Sequence, residues 1–135
     1  MGSYRDLMVW QKAIELVIEV YRVTQAFPQT ELYGLTSQMQ RASVSIPSNI
    51  AEGQALKRTN AYGRHLAIAS GSLAELETQL EISDRLGLLP SEGQRIIHKA
   101  NEVGRMLSAL RKSILNPRPQ KSLELEAQRT GEGQT

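Results

Sequence analysis

Residues 66–80 read LAIASGSLAELETQL, and this stretch decides the fold class. A set of its apolar side chains recurs at spacings of three, four, three and four positions, which places the set on one stripe of an α-helix. We predict a helix from about Ala61 to Leu86, with Gly87 as its left-handed stop. The stripe consists of Leu66, Ala69, Leu73, Leu76 and Leu80.

The first part of the chain carries two apolar stripes at the same helical spacing. Ser3, with Asp6 three positions later, predicts a capping box at its start, and Phe27-Pro28 marks its end. An apolar face this wide predicts more than one neighbouring helix. The stripe expected to face a partner helix comprises Leu7, Trp10, Ile14, Val17 and Tyr21, and the second comprises Ala13, Leu16, Val20 and Val23.

A second helix is expected over residues 31–53, although Pro47 lies inside it. An interior proline lacks a backbone donor and clashes with the preceding turn. The sequence therefore predicts a kink between Ser43 and Pro47, or a break into two short helices. The last helix is expected to begin after Ser91 as its N-cap and to continue to Ile114.

Short connections of about four to eight residues join these helices, which makes successive helices antiparallel neighbours. The predicted fold is therefore all-α, an antiparallel up-down-up-down four-helix bundle formed by residues 1–115. Beyond it the sequence is rich in Gln, Glu, Lys, Gly and Thr. Residues 116–135 are expected to form a disordered, flexible polar tail.

The composition is that of an ordinary soluble domain. The chain has 135 residues, with 16 Lys+Arg against 14 Asp+Glu and no cysteine, which excludes thiolate metal sites and cysteine nucleophiles. No apolar run approaches the ~20 residues of a membrane-spanning helix, so no membrane association is expected and the cytoplasm is the expected location. The formal net charge of +2 is small, so a nucleic-acid role depends on where the charges lie.

The sequence shows no arrangement typical of catalysis. Dimetal sites in helix bundles use a Glu three positions before a His, but Tyr62 precedes His65 and Arg95 precedes His98 at that offset. Neither a glycine-rich phosphate loop nor a nucleophile–histidine pattern is present. We therefore expect a protein that is not an enzyme and that uses no metal ion or cofactor.

Basic residues are concentrated in two segments with few acidic neighbours. Those of the last helix are expected to project outward, where they could meet phosphate groups. A solvated helix face explains the same pattern, and the residues alone leave both interpretations open. No aromatic residues alternate with these charges, which argues against stacking on single-stranded bases. The candidates are Arg41, Lys57, Arg58 and Arg64 near the second connection, and Arg105, Arg111 and Lys112 on the last helix.

Small residues are frequent on the second and third helices, and Gly71 lies in the middle of the third. Glycine inside a helix costs about 1 kcal/mol relative to alanine, so a steric reason for Gly71 is expected. Close packing within the chain is one such reason, and contact with another subunit is the other.

Three ordered segments resemble a known protein family. They are ELYGLTSQ at 31–38, RASVSIPSNIAEG at 41–53 and IASGSLAELETQL at 68–80. Together they are similar to the 23S rRNA intervening-sequence proteins, also called the four-helix-bundle protein family, and the resemblance extends over about residues 4–115. The positions that match the structural motif of the family are Tyr33, Gly34, Gln38, Pro47, Asn49, Glu52, Gly53, Gly71 and Glu75.

The resemblance implies a small bacterial four-helix bundle without catalytic residues, of a family often encoded within insertions in large-subunit rRNA genes. Related accessory proteins of diversity-generating retroelements form homopentamers with a basic surface, and they bind nucleic acid and a reverse transcriptase. The chain is therefore expected to be a homo-oligomer of five subunits that binds rRNA or another structured nucleic acid through its basic residues. The alternative is a protein-interaction scaffold, for example for a reverse-transcriptase-like or ribosome-associated partner, with no direct nucleic-acid role.

Overall fold

The computed structural model describes residues 2–116, and the regular structure in that range is helical. It contains the four α-helices α1 (Met8–Thr24), α2 (Ser37–Leu56), α3 (Thr59–Arg85) and α4 (Gly93–Leu115). The all-α prediction is confirmed. Beyond Asn116 the predicted disordered tail lies outside the described residues, and the domain boundary at residue 115 stays a prediction.

The four helices form a closed ring of neighbours. α1 contacts α2 and α4, and α3 contacts the same two helices, so α1 and α3 lie at opposite corners of the bundle. This arrangement confirms the up-down-up-down topology. The connection between α2 and α3 consists of Lys57 and Arg58 alone, which forces the two helices to lie side by side.

The core lies where the apolar stripes of the four helices meet. The predicted stripe of α3 is buried along its whole length, from Leu66 to Leu80. The largest side chains that are less than 2 % exposed come from every helix, so each helix contributes to one shared interior. They include Leu16 of α1, Met39, Ile46 and Ile50 of α2, Leu66, Leu76 and Leu80 of α3, and Ile96 and Leu107 of α4.

The α1 stripe that was expected to face a partner helix lies instead at the border of the bundle. Leu7, Trp10 and Val17 are half-buried, and Ile14 and Tyr21 are exposed. The second stripe fills the core. Both stripes have helical spacing, and periodicity alone does not decide which of two adjacent stripes points inward.

The capping box at Ser3 is confirmed, on a short 3₁₀ turn (Tyr4–Asp6) that precedes α1. The Ser3 N–H donates to Asp6 Oδ2 over 3.1 Å, and Ser3 Oγ accepts from the Arg5 N–H over 3.1 Å. These bonds hold Arg5 on an ordered turn at the start of the chain.

The second helical segment was expected to be helical from Glu31, but its first residues form irregular turns. A 3₁₀ turn (Gln29–Glu31) and a π turn (Leu32–Thr36) come first, and Gly34 inside the π turn adopts φ −111°, ψ −109°. α2 then continues without interruption through the buried Pro47, so the predicted break into two short helices is wrong. Glycine reaches non-helical dihedrals at low cost, which explains why the discontinuity falls at Gly34.

The two turns at the ends of α3 both use left-handed backbone. Lys57 has φ 57° and Gly87 has φ 72°, which confirms the predicted stop at Gly87. The predicted N-cap at Ser91 is wrong. α4 begins at Gly93, and Glu92 holds the N-cap position without a side-chain hydrogen bond.

Among the glycines within the four α-helices, Gly53 leaves the least room to a neighbouring helix, and Gly71 has no neighbour. A Cβ on Gly53 would lie 2.9 Å from His65 Cβ and 3.0 Å from Tyr62 Cδ1. A Cβ on Gly71 would meet nothing within 4 Å, because Gly71 faces outward. Intrachain packing is therefore the wrong explanation for Gly71, and it is the right one for Gly53.

Replacing Gly53 by alanine tests this approach. Gly53→Ala is expected to destabilise the protein by about 1–3 kcal/mol, since the added methyl group must push α3 away at His65 and Tyr62. Gly71→Ala is the matched control and is expected to raise stability by up to about 1 kcal/mol through helix propensity. Urea unfolding followed by circular dichroism measures both.

Equal stability of Gly53→Ala and the wild type would contradict the close approach. A loss of stability in Gly71→Ala, together with a smaller assembly in solution, would assign Gly71 to a contact with another subunit.

Candidate nucleic-acid interface

The alternating helix directions bring four chain segments to one end of the bundle. Gln54 Nε2, near the end of α2, donates to the carbonyl oxygen of Gly2 over 3.2 Å. Leu115, at the end of α4, lies against Gly63 in the first turns of α3, where an added Cβ would be 3.4 Å from Leu115 Cδ2. The start of the chain, the α2–α3 turn and the end of α4 therefore share one surface.

This surface, which we call the basic end, collects most of the predicted cations. The carboxylates on the same four segments are Asp6, which is held in the Ser3 cap, and Glu52. In addition, Arg58 is the N-cap of α3 and gives no side-chain bond, so the first backbone N–H groups of α3 add partial positive charge there. The cations of the basic end are Arg5, Lys57, Arg58, Arg64, Arg111 and Lys112.

The two ends of the bundle differ in how their cations are neutralised. Within residues 2–116, no cation of the basic end has a carboxylate oxygen within 4.0 Å. At the opposite end, nitrogen–oxygen distances are 3.0 Å for Arg22–Glu19, 3.9 Å for Lys99–Glu19 and 3.0 Å for Arg85–Glu81. The positive charge of the basic end is therefore available to an anion from outside.

Arg111 is less exposed than the sequence suggested. Its Nη1 donates to Ser70 Oγ of α3 over 3.4 Å, and its Nε is buried without a partner among the described residues. The side chain lies across α3, so only part of its guanidinium group faces solvent. Arg111 thus contributes charge near the surface and does not project freely from α4.

Arg5 is a residue of the basic end that sequence reasoning missed. Its Cζ lies 5.6 Å from the ring centroid of Tyr4 and 5.7 Å from that of Trp10, which are cation–π distances. The two rings are themselves in edge contact at 5.3 Å. The up-down topology could have predicted the position of Arg5, because in such a bundle the end of α2 lies beside the start of α1.

Arg105 extends the positive surface along a groove between α3 and α4. The groove has a volume of about 560 Å³ and is lined by Arg105, Ser108 and Lys112 of α4 and by Glu77 of α3. Lys112 belongs both to this groove and to the basic end. Burial raises the pKa of the Glu77 carboxyl, which is the one acidic group among the residues that line this groove.

Arg41 is the predicted cation that the structure places apart from the others. It lies on α2 at a different cleft, between α2 and α3, together with Gln38 and Glu75. Arg105 and Arg41 flank α3 on its two sides. Of the seven predicted residues, five lie at the basic end, Arg105 lies in the groove that also includes Lys112, and Arg41 is separate.

Several family-motif positions lie on a line of polar contacts between α2 and α3. Asn49 Nδ2 donates to Ser45 Oγ over 3.0 Å, and Ser45 Oγ lies 2.7 Å from Ser72 Oγ. Asn49 Oδ1 is 3.0 Å from His65 Nδ1, which lies 3.8 Å from Glu52 Oε2. Because the Asn49 amide donates to Ser45, its oxygen takes the His65 Nδ1–H, which fixes the ring tautomer. These motif residues align α2 with α3.

Other motif positions act on the backbone or lie in solvent. Pro47 is buried inside α2, and Gly34 provides the non-helical link before it. Tyr33 is 93 % exposed. Among residues 2–116, no three His, Asp or Glu side chains are grouped so that they could hold a metal ion. None of the described helices is long and apolar enough to cross a membrane.

The fold and the charge distribution define a class of protein, a small four-helix bundle with one basic end. A family model described as "23S rRNA-intervening sequence protein" matches residues 5–109. The chain belongs to this family. The resemblance found in the sequence is thereby confirmed.

A solved structure shares the fold. It is a protein of unknown function of the S23 ribosomal protein family from Bacteroides thetaiotaomicron VPI-5482, determined at 1.70 Å resolution. The TM-score is 0.69 at 22% sequence identity, with 78% of this chain and 99% of that chain covered. No curated protein matches the sequence.

Proposed function

We propose that this protein is a non-catalytic, homo-oligomeric RNA-binding protein whose basic end and adjoining α3–α4 groove hold the phosphates of structured RNA. The observation that carries the proposal is the contrast between the two ends. Three cations at the opposite end, Arg22, Arg85 and Lys99, are ion-paired, whereas the six at the basic end have no carboxylate partner among the described residues. An ion-paired cation attracts a phosphate only weakly, whereas an unpaired cation that binds a phosphate releases a counterion from the RNA.

The chemistry of the basic end suits recognition of backbone shape. Lysine and arginine contacts to phosphates position a protein on nucleic acid but carry no sequence information. The groove that holds Arg105 and Lys112 continues the surface along the bundle, so a helical RNA could contact both. The family description names an intervening sequence of 23S rRNA, which makes an rRNA hairpin the first probe to use.

Two exposed apolar faces support self-association. One lies on α1, where Ile14, Ile18 and Tyr21 are 36%, 52% and 42% exposed. It borders a groove of about 290 Å³ that is lined by Trp10 and Val17 of α1 and by Val44 and Pro47 of α2. The other lies on α3, where Ile68 and Ile82 are exposed on one side of the helix with the exposed Glu75 midway between them.

The two faces lie on helices at opposite corners of the bundle, and they differ in shape and composition. A contact between unlike faces of successive subunits is heterologous and closes into a ring when the rotation permits. Repetition of this contact would place the basic ends of all subunits on one side of the ring. Five subunits is the expectation from the family resemblance, and each added subunit multiplies the phosphate contacts.

The first test removes charge from the basic end. The triple variant Lys57→Gln/Arg58→Gln/Arg64→Gln is expected to weaken binding of an rRNA hairpin. It should also reduce the slope of log K against log salt by about 2, since each lost phosphate contact removes about 0.7–0.9. Fluorescence anisotropy at several salt concentrations measures both, using protein freed of endogenous nucleic acid by nuclease treatment.

The matched control is Arg22→Gln/Arg85→Gln/Lys99→Gln, which removes the same charge from the opposite end. It is expected to retain the wild-type affinity and salt slope, because those cations are already ion-paired. Equal losses in the two triple variants would show that net charge alone matters and would overturn the basic end as the site. Salt-independent binding by the wild type would do the same.

The second test concerns Glu77 in the groove. Its raised pKa means that it takes up a proton at a higher pH than an ordinary glutamate, so RNA binding is expected to strengthen as the pH falls from neutral. Glu77→Gln removes the negative charge beside Arg105 and Lys112. It is expected to strengthen binding at neutral pH by less than about 1 kcal/mol, because Glu77 is exposed and solvent screens its charge.

The same variant should flatten the pH dependence, because the group that titrates is gone. Anisotropy titrations of wild type and Glu77→Gln across the acidic range measure this. An unchanged affinity in Glu77→Gln would exclude the groove from the interface while leaving the basic end in place.

The third test concerns assembly. Ile14→Ser/Ile18→Ser and Ile68→Ser/Ile82→Ser each remove one apolar face, and all four side chains are exposed, so the monomer fold is expected to survive. Each variant alone is expected to be monomeric, while an equimolar mixture forms a heterodimer through the one intact pair of faces. Native mass spectrometry counts the subunits.

Met8 is also exposed, and Met8→Ser is the control. This variant should assemble as the wild type does. Full assembly of either double variant would contradict a contact between unlike faces. A monomeric wild-type protein would overturn self-association altogether without affecting the test of RNA binding.

A further inference from the structure

A polar cleft between α2 and α3 is not used by the proposed RNA surface. It has a volume of about 380 Å³, within the ~300–1,000 Å³ typical of small-molecule pockets. Its floor holds Ala42, Ser72 and Gln79, which are at least nine-tenths buried, and the half-buried Ser45. Its rim carries Gln38, Arg41 and Glu75.

Gln79 is the unusual residue of this cleft. Its side chain is 8% exposed, and its Oε1 has no hydrogen-bond partner among the described residues. Buried polar atoms in folded proteins are nearly always paired, because an unpaired one loses its hydration without compensation. The other polar groups on the same side of α3 are satisfied, Ser72 by Ser45 and Ser83 by the Gln79 carbonyl oxygen. Gln79 lines the cleft, but Oε1 itself is closed off from solvent, so this acceptor meets a donor from outside the chain only after the amide turns toward the cleft.

The rim adds two opposite charges that do not neutralise each other. Arg41 and Glu75 both line the cleft, yet no nitrogen–oxygen distance between them is within 4.0 Å, and neither has another ion-pair partner within residues 2–116. A guanidinium group offers paired N–H donors that match a carboxylate. A carboxylate and an amide oxygen only accept hydrogen bonds, so each requires a donor group on the ligand.

The matching ligand carries a carboxylate and, beside it, a protonated amine. No aromatic ring lines the cleft, so a nucleobase would find no stacking surface, and Glu75 would repel a phosphate dianion held at Arg41. We propose that the α2–α3 cleft binds a free amino acid as its zwitterion, with the carboxylate on Arg41 and the ammonium group on Glu75, to which Gln79 Oε1 adds an acceptor once its amide turns into the cleft.

This site is separate from the RNA surface. Arg41 is the one predicted cation that lies away from the basic end, and Gln38 and Glu75 are motif positions that phosphate binding does not use. The RNA-binding proposal and the amino-acid proposal therefore stand or fall independently, whereas a subunit contact over Ile68 and Ile82 would share Glu75 with the cleft.

Isothermal titration calorimetry of the full chain with each proteinogenic L-amino acid, added singly at millimolar concentration, tests the proposal. At least one is expected to bind saturably and to raise the melting temperature. The N-acetyl derivative of that amino acid, which lacks the ammonium group, and its amide derivative, which lacks the carboxylate, are both expected to bind much more weakly.

Three variants locate the site. Arg41→Met and Glu75→Gln each remove one charge from the rim, and Gln79→Met removes the buried acceptor at nearly constant volume. Each is expected to weaken amino-acid binding about tenfold or more. Arg95→Met, an exposed arginine of α4 outside the cleft, is the control and should bind as the wild type does. Unfolding curves confirm that each variant is folded.

The absence of saturable binding by every amino acid would overturn the proposal, as would binding that Arg41→Met and Glu75→Gln leave unchanged. Binding of guanosine monophosphate in the cleft in preference to amino acids would overturn the ligand class. The triple variant of the basic end separates the two proposals, because it should lose RNA affinity and keep amino-acid affinity.

Discussion

The close approach of α2 and α3 sets the geometry on which the other features depend. Gly53 removes the side chain that would hold the helices apart, and the Ser45–Ser72 contact joins them farther along. With a connection of only Lys57 and Arg58 between them, the two helices act as one hairpin. α1 and α4 complete the core against this hairpin, and the polar cleft between α2 and α3 is a direct result of polar side chains at their contact.

Charge separation along the bundle follows from the same topology. Helices that alternate in direction bring residues far apart in sequence to one end, so Arg5, Arg64 and Lys112 become neighbours of the α2–α3 turn. The total charge of +2 conceals this, because Arg22, Arg85 and Lys99 at the opposite end are ion-paired. Exposed ion pairs contribute little to stability, each about 0–1 kcal/mol, so their main effect here is to neutralise these three cations.

Much of the fold was predictable from the sequence, and the candidate sites were predictable only in part. The spacing of Leu66 to Leu80 determined a buried helix, and Gly87 determined its end. The start of α2 was not predictable, since the turn at Gly34 depends on backbone dihedrals that periodicity does not report. Gly71 shows the same limit. A glycine within a helix indicates close packing only where a neighbouring helix lies against it, and the sequence does not show whether one does. For the site, the basic residues were identified, but their separation into a basic end and an isolated Arg41 depends on tertiary packing.

Trp10 lies where the basic end meets the apolar groove between α1 and α2. It is the one tryptophan of the chain, it lies beside Arg5 and Tyr4 at the basic end, and it lines the apolar groove between α1 and α2. The fluorescence of its half-buried indole is therefore expected to respond both to a polyanion that binds at Arg5 and to a subunit that binds in the groove. Both binding events can therefore be followed by intrinsic tryptophan fluorescence, without an attached dye. A red shift would accompany hydration of the ring, and a blue shift would accompany its coverage by a neighbouring molecule.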